Sequence, residues 1–157
     1  MCLKTDDKRT KRVLRTLKDR GGKATMWKVL IVRPIPDHKG KKYIVETPFM
    51  KTRYFPGWNK SNRKGTKLTK QESLVYRPYS SNPFQDIELG IHVLTNLKRV
   101  KEFKHDFEVA VPVTVQLKDF VAAGQNYDAA FTKVFLAKKD YDQAIEDYKK
   151  YLASFEK

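Results

Sequence analysis

At 157 residues the chain has the length of one domain, enough to close a hydrophobic core without disulfide or metal staples. A 40 % hydrophobic content and 17 Phe and Tyr residues exclude wholesale disorder, and no apolar run approaches the roughly 18 residues of a membrane-spanning helix. The net charge of +15 lies wholly in the first half, where residues 1–77 hold 22 Lys or Arg against 6 Asp or Glu while residues 78–157 hold 11 against 12. Asymmetry of this kind points to a positive face and an anionic partner, the alternative being an ordinary Lys-rich surface that favours solubility. The single cysteine, Cys2, forms no intramolecular disulfide. With no signal-peptide core in view, the expected address is the reducing cytoplasm.

Residues 5–22, TDDKRTKRVLRTLKDRGG, predict a short helix with Thr5 as N-cap, Asp6 and Asp7 in the first turn and Gly21-Gly22 as terminator. Val13, Leu14 and Leu17 form a thin apolar stripe. The rest of the circumference is basic, and Arg9, Arg12 and Arg15 are candidate phosphate contacts, the alternative being a solvated arm with a weakly docked edge. Met26 to Val32 predicts a strand, closed by the turn RPIPDHKG, with Lys42 to Phe49 as its hairpin partner.

The segment from Thr52 to Glu72 interleaves aromatic and basic residues. Arg53, Tyr54, Trp58, Lys60, Arg63 and Lys64 there are the pattern by which a loop stacks bases and neutralises phosphates. The competing expectation is that the aromatic residues anchor a long loop to the core.

Ile87 to Val93 alternates as a half-buried strand, Thr95 stands where an N-cap belongs, and Leu97, Val100 and Phe103 recur at helical spacing. Phe107, Val109, Val111, Val113 and Val115 then line one face of a strand, in which Pro112 predicts an edge or a bulge. A loop around Gly124 and Asn126 leads to a short strand, Phe131 to Leu136. The last helix, capped by Asp140, carries the stripe Tyr141, Ala144, Ile145, Tyr148 and Leu152. The expected fold is α+β: a single domain with a bent mixed or antiparallel sheet of about five or six strands, a basic N-terminal helix, one middle helix and a C-terminal helix.

No Walker A loop, GxGxxG, HExxH, CxxC or GxSxG occurs, and His38, His92 and His105 lack metal-ligand spacing, so neither metal nor cofactor is expected. His92, in GIHV, is the one candidate catalytic residue; the competing reading is a packed, hydrogen-bonded histidine.

The order GIHV, helix, EVAVPV, KDFVAAG and KVFL, within residues 26–137, resembles small uncharacterised phage and bacterial proteins with a G-[FI]-H motif, and more distantly the ADP-ribosyltransferase fold. The resemblance implies a split, bent sheet with a cleft near His92, and a host cytoplasm if the chain is phage-encoded. Catalysis of that class would set His92 and Tyr54 or Tyr76 beside a late Glu, but residues 120–137 contain no Glu. Three functions stay in view. The leading one is a phage-type accessory protein that binds nucleic acid or a nucleotide without catalysis. The others are an ADP-ribosyltransferase-like enzyme and an inhibitory module docking an acidic protein. No membrane partner is expected, because the basic helix lacks an insertable apolar face.

Overall fold

The four valines at 109, 111, 113 and 115 form the spine of the core, each almost fully buried while the residues between them are not. The computed structural model describes residues 3–4, 6–35, 42–48, 52–61, 74–75, 86–87, 90–124 and 127–156, the pairs 3–4, 74–75 and 86–87 by backbone alone. In chain order these form β1 (Leu3–Lys4), α1 (Asp7–Asp19), β2 (Lys23–Pro34), β3 (Tyr43–Glu46), β4 (Arg53–Tyr54), β5 (Gly57–Lys60), β6 (Leu74–Val75) and β7 (Asp86–Ile87). They continue with β8 (Ile91–Leu94), α2 (Leu97–Phe103), β9 (Val109–Gln116), a 3-10 turn (Leu117–Asp119), β10 (Phe120–Ala123), β11 (Asp128–Phe131), β12 (Lys133–Leu136) and α3 (Lys138–Ala153).

The protein is an α+β domain. Nine strands form one antiparallel sheet along the path β10-β11-β8-β2-β9-β12-β5, with β3 attached to β2 and β4 to β3, and β1-β7-β6 form a separate small sheet. Strand β2 is its axis: residues 23–30 pair with β9 and residues 31–34 with β3. Because β8 and β9 are both antiparallel to β2, α2 crosses over β2 to join them. The sheet is sharply bent. One 3-10 turn carries β9 into β10, so the first and fifth strands of the path are consecutive in the chain, and Thr132 alone separates β11 from β12.

One main cluster fills the bend. Met26 and Leu30 from β2, the β9 valines, Phe131, Val134 and Leu136 meet Leu17 from α1 and Ala144 from α3, with Tyr141, Ile145 and Tyr148 packed against them. Helix α1 ends as its glycines require. Gly21 and Gly22 adopt φ of 70° and 85°, and the Gly22 N–H donates to the Leu17 carbonyl at 2.7 Å.

Several local expectations need correction. Thr5 lies outside the described residues; the α1 cap is Asp6, whose Oδ1 accepts from the Arg9 N–H at 3.1 Å. Asn96 rather than Thr95 caps α2, because Thr95 is drawn to the Tyr127 carbonyl instead. Asp140 lies inside the first turn of α3, which has no side-chain cap. The alternation through Ile87 to Val93 is divided between two sheets at Gly90, whose φ is 100° and where a Cβ would meet the Phe131 carbonyl oxygen at 3.2 Å. Pro112 sits in a central strand, not at an edge or bulge. It is tolerated because β12 registers with β9 at Thr114, leaving that side of Pro112 without a registered partner among the described residues. Phe107 is exposed and stacks on His105, outside the core.

Candidate functional site

Helix α1 is a docked element, not a loose arm. Thr10 is buried and its hydroxyl bridges Ala123, accepting from the N–H at 3.1 Å and donating to the carbonyl at 3.3 Å. The Asp6 N–H donates to the same carbonyl at 3.0 Å. With Leu17 fully buried on the opposite turn, the rotation of the helix is fixed. That rotation turns Arg9, Arg12, Thr16 and Arg20 toward one side, as their spacing of three and four residues dictates.

They line a cleft of about 330 Å³ between α1, the first residues of β2, the start of α2 and the β10–β11 turn. Thr25 and Trp27 come from β2, Thr95 and Asn96 from the β8–α2 connection, and Tyr127 and Asp128 from the far wall. Arg12 and Arg20 have no carboxylate within ion-pair distance among the described residues. Asp128 is the one carboxylate in a lining that carries three guanidinium groups.

Tyr127 is the most constrained residue of the wall. Its φ of 61° is a left-handed conformation, which costs a non-glycine residue about 1 kcal/mol or more. Its carbonyl accepts from both the Thr95 N–H at 2.7 Å and the Thr95 hydroxyl at 2.9 Å, fixing the ring at the cleft mouth. There Arg9 lies 3.5 Å from the ring centroid and Arg99 4.7 Å. A hydrogen bond from Arg9 and its positive charge, then the hydrogen bond from Arg99, hold the Tyr127 phenol below its ordinary pKa.

Of the second basic and aromatic region, residues 52–61 are described, and they carry β4 and the edge strand β5. Tyr54 is removed from it: β4 registers Tyr54 against Val45, which directs the ring into the core, where burial pushes its phenol pKa up. Trp58 and Lys60 alternate on β5 and face Phe135 and Lys133 of β12 in register. Trp58 remains 44 % exposed, edge-on to Phe135 at 5.3 Å, with the Lys133 Nζ 4.7 Å from its ring. Asn59 shapes the turn that leads in, accepting from the Phe55 N–H at 3.0 Å and donating to the Phe55 carbonyl at 2.8 Å. Arg53 is exposed on β4, opposite Glu46. Arg63, Lys64 and Tyr76 lie outside the described residues.

Of the sequence candidates, Arg9 and Arg12 are brought together, whereas Arg15 is exposed and does not line the cleft. Arg20, Trp27, Arg99 and Tyr127 were not among the candidates, although Arg20 lies on the same helical stripe as Arg9 and Arg12. His92 lines neither the cleft nor the wider groove of about 550 Å³ between α3 and the start of β3. That groove is electrically balanced, with Lys149 paired to Glu146 and Asp142 to Lys138. Lys28 is the remaining unusual group. Its Nζ donates to the His92 carbonyl at 2.7 Å, and burial lowers its pKa to about 8.

Among the described residues, no three His, Cys, Asp or Glu side chains gather at a metal-binding distance, and no helix is long and apolar enough to cross a membrane. The chain matches no protein-family model, no curated protein and no solved structure.

Proposed function

We propose that the protein binds a phosphate-bearing ligand, nucleic acid or nucleotide, in the cleft between α1 and Tyr127, without catalysing its conversion. The observation that carries this reading is the convergence of Arg9, Arg12 and Arg20 on one cleft that also offers the Trp27 and Tyr127 rings. Arginine forks suit phosphate oxygens geometrically, and the aromatic rings offer planes against which a base stacks. Thr16, Thr25, Thr95 and Asn96 add neutral hydrogen-bonding groups to the same lining. Of the residues the transferase alternative would use, Tyr54 is enclosed in the core, Tyr76 lies outside the described residues, and His92 lines neither of the two cavities described above.

The test is fluorescence anisotropy of a labelled oligonucleotide across a salt series, with Arg12→Ala/Arg20→Ala beside the parent protein. The double variant is expected to bind at least about tenfold more weakly, and its log–log salt slope to fall by about 1.4, the increment for two phosphates of a single strand. Affinity and slope unchanged in the double variant would overturn the cleft as the binding site. Absence of any nucleic-acid or nucleotide binding, with retention of an acidic protein by the same arginines, would replace this reading with protein docking.

A further inference from the structure

The strand registers connect the cleft to the Trp58 edge. Partners in an antiparallel ladder project to the same face of the sheet, and so do residues two apart on one strand. Trp58 faces Phe135, Phe135 registers with Thr114, and Thr114 registers with Thr25, which lines the cleft. These four residues form a row across four strands, three strand spacings or about 14 Å long. A second row runs beside it. Lys60 faces Lys133, the β12–β9 register carried two residues further sets Lys133 beside Gln116, and Gln116 registers with Lys23. One face of the sheet thus carries an aromatic and hydroxyl row, ending at Trp58, next to a cationic row, ending at Lys60.

The contacts of Trp58 with Phe135 and with the Lys133 Nζ account for only part of this arrangement. The core lies on the opposite face, with Val134, Leu136, Val113 and Val115. Two lysines directly opposite each other in a ladder repel, and Trp58 leaves much of its ring in water. An anion lying along the row would relieve the lysine repulsion, and a flat ring laid on Trp58 would cover its exposed surface.

We infer that the ligand is a single-stranded nucleic acid that enters at the α1 cleft and crosses the outer sheet face to Trp58. Its phosphates follow Lys23, Lys133 and Lys60, and its bases face Trp27 at one end and Trp58 at the other. This inference rests on the proposed cleft and adds the polymer and its path. A duplex does not satisfy it, because paired bases present no free face to Trp58.

The chain has 2 tryptophans, one at each end of the path, so each reports separately. In Trp27→Phe the remaining fluorescence is that of Trp58, and in Trp58→Phe that of Trp27. The probes are a thymidylate dinucleotide, too short to bridge the roughly 14 Å of the row, and an oligothymidylate of about 12 nucleotides, within the range of single-strand site sizes. Saturating short probe is expected to quench Trp27 and leave Trp58 unchanged, while the long probe quenches both. Lys60→Ala/Lys133→Ala is expected to keep the short-probe affinity and lose roughly tenfold or more of the gain from length, with a salt slope lower by about 1.4.

Trp58 unquenched by a long probe that quenches Trp27 would overturn the path and leave the cleft standing. Equal affinity for a duplex of the same length would also overturn it. Loss of short-probe binding in Arg12→Ala/Arg20→Ala, with Trp58 quenching intact, would separate the two regions in the opposite sense and overturn the path as continuous. Trp58→Phe doubles as a folding control, since a phenyl ring keeps part of the stacking surface and is expected to bind better than Trp58→Ala.

Discussion

The two faces of the β2–β9 ladder share one register and do opposite work. On the inner face Ala24, Met26 and Leu30 meet Val115, Val113 and Val109, all buried. On the outer face Lys23, Thr25 and Trp27 meet Gln116, Thr114 and Pro112, all at least partly in water. Strand periodicity makes this possible, because each change of one residue along the chain exchanges solvent for core. Stability and the proposed recognition can therefore be altered separately within a single strand.

The largest effect expected from breaking this contrast falls on the inner face. Leu30 is fully buried, and Leu30→Ala is expected to cost about 2–5 kcal/mol, read as a lower denaturation midpoint. Thr25→Ala, on the outer face of the same strand, is expected to change stability by less than about 0.5 kcal/mol while weakening oligonucleotide binding. Similar destabilisation by both would show that the outer face is also part of the core.

Lys28 is the exception on the inner face, and its pH dependence sharpens the contrast. By alternation it falls between Met26 and Leu30, and its pKa is lowered from 10.5 to about 8 by burial. Below pH 8 the lysine is charged in both states, so the folded protein bears the cost of a largely desolvated, part-buried cation. Between pH 8 and 10.5 the unfolded chain holds the proton that the folded protein has released, so stability rises with pH by about 3 kcal/mol over the window. Lys28→Met is expected to lack that rise. Its loss of the hydrogen bond to the His92 carbonyl adds an offset that does not vary with pH. Tyr54, whose pKa is raised, contributes a falling slope above pH 10 that cancels between the two proteins. Parallel stability curves from pH 8 to 10 for both would refute a titrating Lys28.

Much of this architecture is legible in the sequence where local rules act alone. Gly21-Gly22 stops α1, Val109 to Val115 marks a half-buried strand, and the Tyr141, Ala144, Ile145 and Tyr148 stripe packs on the core. The strands FVAA and DAAF are hidden because alanine has no strand preference; Ala122 and Ala130 are partners, buried together where larger side chains would crowd the sheet. Tyr54 was ambiguous for a different reason, since only its pairing with Val45 sends it inward. The cleft was half visible: its arginines share a helix face, but Tyr127 reaches them through a turn more than 100 residues further along the chain. No local pattern could join them. The outer-face rows were likewise hidden, because they exist only once four strands are in register.

The smallest effect belongs to Tyr127, where fold and site compete within one residue. Its left-handed φ opposes folding, whereas its ring, held by Arg9 and Arg99, forms the cleft wall. Replacement by glycine removes the backbone penalty and the ring together, and the two losses have opposite signs for stability. Glycine also gains freedom in the unfolded chain, which offsets part of the relief. Tyr127→Gly is therefore expected to stay within about 1 kcal/mol of the parent protein in denaturant melts while binding oligonucleotide several-fold more weakly. Tyr127→Ala keeps the penalty and loses the ring, so it is expected to be less stable than Tyr127→Gly at equal loss of binding. If instead both variants destabilise the protein equally and leave binding intact, the Arg9–Tyr127 stack serves the fold, and the cleft wall has no part in recognition.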